Sequence, residues 1–385
     1  MVRKCEDFTS INFLQSFWVT KQLIYAFLLG TGITGLTQCK GPVKLPPGDP
    51  DNGGLILPGG FEAVVVVDSI GRARHLAVND NGDIYVKLEY NDKMKGRGGT
   101  VGLRDVNNDG KADSIVYFGD YTDVGGSAVG MTIHDGYLYT STVTNVLRTK
   151  LTSGDLVPES KTEVMITDTR QLGNQHWHNT KPVAFDNDGH MYVPFGAPTN
   201  AGQDLSLYGP TGIPGGHGLD PEPGLADYAG IWRFDADKTG QTQKDGYKFA
   251  GGIRSVVGMA WNPTDNNLYL VMNGIDNFHT LFPNKYTSWQ AAVLPAESLI
   301  KVKDGSDFGW PYAYFDQMLG KNMLEPGYGG DGKTVGRAAK FDVPVMGFPG
   351  HWAPMDLLFY QGNQFPERYK SGVFIAFHGS TDRSP

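Results

Sequence analysis

Cysteine is nearly absent. The 385 residues hold two, Cys5 and Cys39, both close to the N-terminus. From residue 40 onward the chain has no disulfide framework, no thiol nucleophile and no cysteine for zinc or for haem attachment. Charge is sparse and mixed in sign: 19% of residues are charged, with a formal net charge of −8. The densest basic stretch, Lys93 to Arg97, reads as a solvated loop, so nothing marks nucleic acid as a partner. No glycine-rich turn is followed by the strand and acidic residue of a dinucleotide site, and there is no phosphate-binding loop. These absences argue against a nicotinamide enzyme or a fused cytochrome. Long amphipathic segments at a 3.6-residue period are also missing, which disfavours a helical fold.

Turn formers, by contrast, are abundant. With 52 Gly and 23 Pro the chain can make many tight turns, because Gly supplies positive φ and Pro presets the first turn position. A run-turn-run unit recurs: Leu76–Val86, Gly130–Tyr139, Pro182–Val193, Gly258–Leu270 and, more loosely, Met355–Ile375. Each reads as an inner strand, an Asp/Asn-Gly-type turn and an aromatic-bearing strand. Tyr85, Tyr139 and Tyr192 are spaced by about 54 and 53 residues, near the ~40–50 residues of known propeller blades. Tyr192 to Tyr269 is longer because of the Gly/Pro-rich stretch 196–226. Tyr269 to Phe374 is about two periods, which places a further blade around 300–345. The expected fold is all-β, a six-bladed propeller of four-stranded antiparallel blades. A pair of β-sandwiches is the alternative, although it gives no reason for so long a regular spacing.

The N-terminal part reads differently. Leu23–Leu36 is a short apolar core after Lys21, too short and Gly-rich to span a membrane well, and fits a secretion signal. Leu36-Thr37-Gln38-Cys39 resembles a bacterial lipobox in which Cys39 is lipidated; ordinary cleavage or retention as an anchor are the alternatives. The expected organisation is a signal over 1–39, a Gly/Pro-rich linker over 40–54 and a propeller over 55–385, with an incomplete C-terminal blade. Such a chain is exported, periplasmic or anchored as a bacterial lipoprotein, with no membrane contact beyond that anchor.

A basic or polar residue heads each repeat: Arg74-His75, Ser127, His178, Arg254 and His351. In a propeller these gather at one mouth of the central channel, as an active site would require. A second signal is Asp105-Val106-Asn107-Asn108-Asp109-Gly110-Lys111-Ala112-Asp113. It has oxygens at positions 1, 3, 5 and 9 of an EF-type loop and Gly at position 6, but Val116 at position 12. A structural Ca²⁺ held by Asp105, Asn107, Asp109 and Asp113 is expected, against an Asx turn without metal.

Several segments together resemble the sorbosone/glucose dehydrogenase family, soluble six-bladed propellers that use pyrroloquinoline quinone (PQQ) and Ca²⁺. They are His178-Asn179-Thr180-Lys181, Ala229–Ala236, Gly252-Ile253-Arg254 with Ala260–Pro263, Asp307–Tyr312 and His378–Pro385. The likeness is greatest to the sorbosone dehydrogenase-like branch. It implies PQQ-dependent oxidation of a sugar or sugar aldehyde, C1 hydroxyl to lactone or acid. Electrons would leave to an external acceptor such as a cytochrome or quinone.

The resemblance puts the general base at His178, with His176 as competitor. PQQ carboxylates and quinone oxygens call for donors: Arg254 first, then Arg74, His351, Lys181, His378 and Arg383. Asn273-Gly274-Ile275-Asp276 resembles a Ca²⁺ loop, with carbonyls from Gly274 and Ile275 and a carboxylate from Asp276. Asn273, Ile275 and Thr381 depart from the residues common in the family. The alternatives are a Ca²⁺-dependent propeller lactonase, whose mouth would be mostly Asp, Glu and Asn, and a carbohydrate-binding propeller without chemistry.

Overall fold

The computed structural model describes residues 45–89, 99–119, 129–159, 161–170 and 178–379. The candidate signal with Cys39, the Lys93–Arg97 cluster, Ser127, His176, Thr381 and Arg383 lie outside them. Among the described residues no helix is long and apolar enough to cross a membrane.

Each of the five repeats forms the hairpin expected of it. The first sheet runs β1 (Ala73–Val78), β2 (Ile84–Leu88), β3 (Thr100–Arg104) and β4 (Ser114–Phe118). The second comprises β5 (Met131–His134), β6 (Tyr137–Ser141), β7 (Asn145–Lys150) and β8 (Thr162–Thr167). The third begins with β9 (Ala184–Phe185), β10 (His190–Phe195) and β11 (Gly230–Asp235). Next, β12 (Gln241–Thr242) returns to pair parallel with β8, and β13 (Tyr247–Gly251) completes the third sheet. The fourth sheet is β14 (Val256–Asn262), β15 (Asn267–Met272), β16 (Glu297–Val302) and, much later, β20 (Met346–Phe348). Between them β17 (Ser306–Asp307) pairs parallel with β13, and β18 (Ala313–Asp316) with β19 (Lys321–Leu324) makes a separate hairpin. Last come β21 (Pro354–Phe359) and β22 (Val373–Phe377), a two-stranded sheet.

The turns follow from sequence. Asp135 and Gly136 both have positive φ (45° and 76°), the pair a type I′ hairpin turn needs. Asn266 and Gly189 take the same left-handed region in the fourth and third hairpins.

The innermost strands β1, β5, β9, β14 and β21 stand around one channel. Side chains from all five line a cavity of about 570 Å³. His75 Nε2 lies 3.1 Å from the Met355 carbonyl, which joins the first inner strand to the last. The apolar core is divided into wedges between neighbouring sheets. Ala77, Tyr85, Met131 and Leu138 fill the first. Tyr139, Met165, Val193, Phe195 and Trp232 fill the next, and Tyr192, Ile231, Leu268 and Ile300 the third. The repeated Tyr85, Tyr139 and Tyr192 are all buried core positions. This is an all-β propeller, with three short α-helices among the described residues.

Two expectations need correction. Four sheets of four or five strands and two of two strands are formed among the described residues, not six four-stranded blades. The stretch 300–345 is not a blade, because its strands are shared out: β16 to the fourth sheet, β17 to the third, and β18–β19 to an insertion. Of the stretch 40–54 expected as linker, residues 45–54 are described, and they are hydrogen-bonded to neighbouring segments. Asp49 accepts from Val65 N and Asn52 from Ala63 N, while Lys111 approaches Asp49 at 3.3 Å.

Candidate active site at the channel mouth

The site lies at the N-terminal ends of β9, β14 and β21. Residues 178–181 lead into β9, and His178 itself is left-handed (φ 52°). Its Nδ1 is 2.8 Å from the Ala197 carbonyl. A carbonyl only accepts, so Nδ1 carries the hydrogen and Nε2 carries the lone pair. Burial, reinforced by the nearby Arg254 charge, lowers the His178 pKa to about 3 against weaker opposing effects of Ala197 and Asp276. The ring is neutral at physiological pH. Ala197 also donates its N–H to the Arg254 carbonyl (2.8 Å), so one residue fixes both the ring and the strand that carries the arginine.

Arg254 is buried just before β14. Its guanidinium meets the Asn200 carbonyl (3.1 Å), Asn200 Oδ1 (2.6 Å), the Gly274 carbonyl (2.5 Å), the Asn273 carbonyl (3.4 Å) and Asp276 Oδ2 (2.7 Å). Burial pushes the Asp276 pKa up, but Arg254, His178 and His351 overrule it and hold the group below the usual carboxylate range. His351, left-handed before β21, donates from Nε2 to the Ala291 carbonyl (2.9 Å), with Nδ1 3.7 Å from Asp276. Glu297, at the start of β16, accepts from Gly274 N (3.0 Å) and His351 N (2.9 Å). Its pKa is pushed up to about 7 by burial. Three of the repeat heads, His178, Arg254 and His351, which span 173 residues of sequence, are brought together around Asp276.

Asn200, Ala197 and Glu297 belong to this group but were not singled out from sequence. Asn200 lies in a Gly/Pro-rich loop without a motif, and Glu297 opens the third strand of its sheet. Only long-range contacts reveal either one.

Other candidates fall elsewhere. Lys181 is not a cofactor ligand: its Nζ is fully buried, 2.9 Å from Asp168 Oδ2, and Arg170 shares the same carboxylate oxygen at 2.7 Å. His378 is exposed and its ring bonds the adjacent Gly379 carbonyl. Arg74 stands at the mouth end of β1, with its Nε buried and unpartnered. The Asp105–Asp113 loop joins two strands, and its oxygens cap its own backbone. Asp105 accepts from Asn108 N and Gly110 N, Asn107 from Asp109 N, Asp109 from Lys111 N and Asp113 from Val106 N. In the structure the loop takes the form of an Asx-type turn.

The two implied groups differ in fit. For PQQ, the base is present in the correct tautomer at His178, and Arg74 offers a buried donor. Arg254 has none left to give. For Ca²⁺ the residues do not fit as arranged. The Gly274 carbonyl and the Asp276 carboxylate are turned to Arg254. Among the described residues no three His, Cys, Asp or Glu side chains converge to hold a metal.

Comparison with known proteins places the chain among propellers. A protein-family model described as TrAA12-like matches residues 225–385. The calcium structure of Trichoderma reesei Carbohydrate-Active Enzymes Family AA12 superposes with a TM-score of 0.62 at 18% identity, over 86% of this chain and 78% of that one. The holo form of the pyranose dehydrogenase PQQ domain from Coprinopsis cinerea gives 0.63 at 17%, over 86% and 76%. The apo soluble aldose sugar dehydrogenase of Escherichia coli gives 0.53 at 15%, over 81% and 82%. At such identities the likeness establishes the shared fold. An uncharacterized protein of Borreliella burgdorferi is 33% identical over 135 residues, 35% of this chain and 31% of that protein. The match spans about a third of that curated relative.

Proposed function

We propose that this propeller oxidises a sugar or sugar aldehyde at C1, with PQQ at the channel mouth. The observation that carries the reading is His178: neutral, tautomer fixed by Ala197, lone pair on Nε2. That nitrogen takes the C1 hydroxyl proton of the cyclic hemiacetal, or of the hydrated aldehyde, as the C–H bond gives up its hydride, yielding lactone from the first and acid from the second. PQQ supplies the hydride acceptor when bound, and the electrons pass on to an external acceptor such as a cytochrome or quinone. Arg74, whose Nε has no protein partner, is assigned to a PQQ carboxylate. Asp276 stabilises the positive charge that His178 acquires, and burial, reinforced by Arg254, keeps the ring neutral beforehand. The likeness of fold to a PQQ domain and to an aldose sugar dehydrogenase supports this chemistry, and the sorbosone-like specificity rests on the sequence motifs. Export, with Cys39 as lipid anchor, is part of the same reading.

A second reading, a carbohydrate-binding propeller without chemistry, is favoured by one observation: Arg254 and Lys181 are both engaged by protein acceptors. The test is dye-coupled turnover with PQQ and Ca²⁺ over aldoses, ketoses and sorbosone-like aldehydes. His178→Ala is expected to lower kcat about 10²–10⁴-fold while keeping PQQ. The parent kcat/KM is expected to show no acid limb near pH 6.5, because the base stays neutral there. No turnover and no retained PQQ would sink the dehydrogenase and leave the binding propeller.

A further inference from the structure

We propose that the Arg254 guanidinium is the resident cation of the 273–276 loop, seated in an oxygen cage that would otherwise take a divalent metal ion. The donor set is that of a hard-cation site: three backbone carbonyls (Asn200, Asn273, Gly274), one amide oxygen (Asn200) and one carboxylate (Asp276). All five lie within 3.4 Å of guanidinium nitrogens. A guanidinium has five N–H groups, so the acceptors match its donors in number.

The cage is also built without the arginine. Asn200 Nδ2 donates to the Asp276 carbonyl (2.9 Å), Asp276 N donates to Asn200 Oδ1 (2.9 Å), and Trp310 Nε1 donates to the Asn200 carbonyl (3.1 Å). Glu297 holds Gly274 N from the other side. Charge closes the argument. Asp276 balances Arg254, and burial leaves Glu297 largely protonated below neutrality. A dication added here would face the guanidinium with no further carboxylate to neutralise it. Removing Arg254 leaves a preformed cage with an uncompensated Asp276, which Ca²⁺ suits. This inference stands apart from the sugar-oxidation reading, since it concerns ion binding by the protein alone.

The test is calorimetric titration of Ca²⁺ into the full chain after EDTA treatment, with parallel thermal melts. Every protein carries Asp105→Asn and Asp109→Asn, so the β3–β4 loop contributes no binding. With Arg254 intact, no binding heat and no Ca²⁺ shift of the melting temperature are expected. With Arg254→Met, one Ca²⁺ is expected to bind and to raise the melting temperature by ~2–4 °C. Adding Asp276→Asn removes both effects. Ca²⁺ binding by the Arg254 protein that Asp276→Asn abolishes overturns the proposal. So does a folded Arg254→Met protein that gains no Ca²⁺ affinity. If Arg254→Met does not fold, Arg254→Gln takes its place in the same titration, with the same expected and overturning results.

Discussion

Gly196 sits where no side chain fits. A Cβ there would lie 2.0 Å from the His178 carbonyl oxygen and 2.7 Å from its Cβ. The close approach of residues 196–197 to 178 is what lets the Ala197 carbonyl reach the imidazole. Gly196→Ala must push the two segments apart, costing about 1–3 kcal/mol by overpacking and releasing the ring from its tautomer-fixing bond. The expected outcome is a lower urea midpoint together with a fall in kcat; unchanged values for both would show that the segments do not need this contact. His178 itself was legible because its tetrapeptide heads a repeat, and Arg254 because it heads the next. Lys181 looked equivalent, being basic and in the same motif. Three residues further on, the chain has turned into the wedge between the second and third sheets, and its ammonium points to Asp168 instead of the channel. A side chain's direction three positions from a bend cannot be read from spacing alone.

The hairpin is the element that sequence conveyed best. All five run-turn-run units fold as antiparallel pairs in the expected place, since period-two patterns are local properties, as are the positive-φ turns of the first four. The blade count was not local. The outer strands are short and borrowed: β12 pairs with β8 of the preceding sheet, β17 with β13, and β20 joins β16 after a long insertion. Two- and three-residue strands carry almost no pattern, which is why 300–345 looked like a blade. Cohesion between sheets was equally hidden. Between the second and third, Asp168 binds both Arg170 and Lys181, and both cations lie over the Phe195 ring at 4.9 and 5.1 Å. Although burial alone would raise the Asp168 pKa, Arg170 and Lys181 overrule it and hold the group far below the usual range. Asp168→Asn takes away the carboxylate charge that two buried cations share. It is expected to destabilise by about 3–5 kcal/mol, read as a shift in the urea midpoint at unchanged slope. A loss under 1 kcal/mol would mean that the cluster contributes little to docking the sheets.

At the scale of the whole molecule, the buried titratable groups give a signed pH dependence. Burial raises Glu222 and Glu297 to about 7 and Glu325 to about 8. Each native carboxyl keeps its proton over a range where the unfolded one, at its ordinary value of 4.5, has lost it. Their contribution to stability is complete below pH 4.5 and is lost as pH rises through 7 to 8. His178, lowered to about 3, works the opposite way: its contribution is present above 6.5 and lost as pH falls toward 3. His75, lowered mainly by burial, has the same sign, and Lys87, lowered to about 7 by burial, gains stability as pH rises from 7 toward 10.5. Three carboxyls thus oppose two imidazoles and one ammonium. The carboxyls prevail between pH 5.5 and 7.5, because the unfolded imidazoles lose their protons in the middle of that window and the single ammonium, releasing its proton around pH 7, offsets at most one of the three carboxyls. Unfolding free energy from urea titrations is therefore expected to decline from pH 5.5 to 7.5. Each carboxyl still protonated contributes about 1.4 kcal/mol per pH unit to that slope. Glu325→Gln keeps the neutral amide in place of the neutral acid and should flatten the decline by about one proton's worth. The parent curve would refute the assignment by rising over this window, and the variant by keeping the parent's slope.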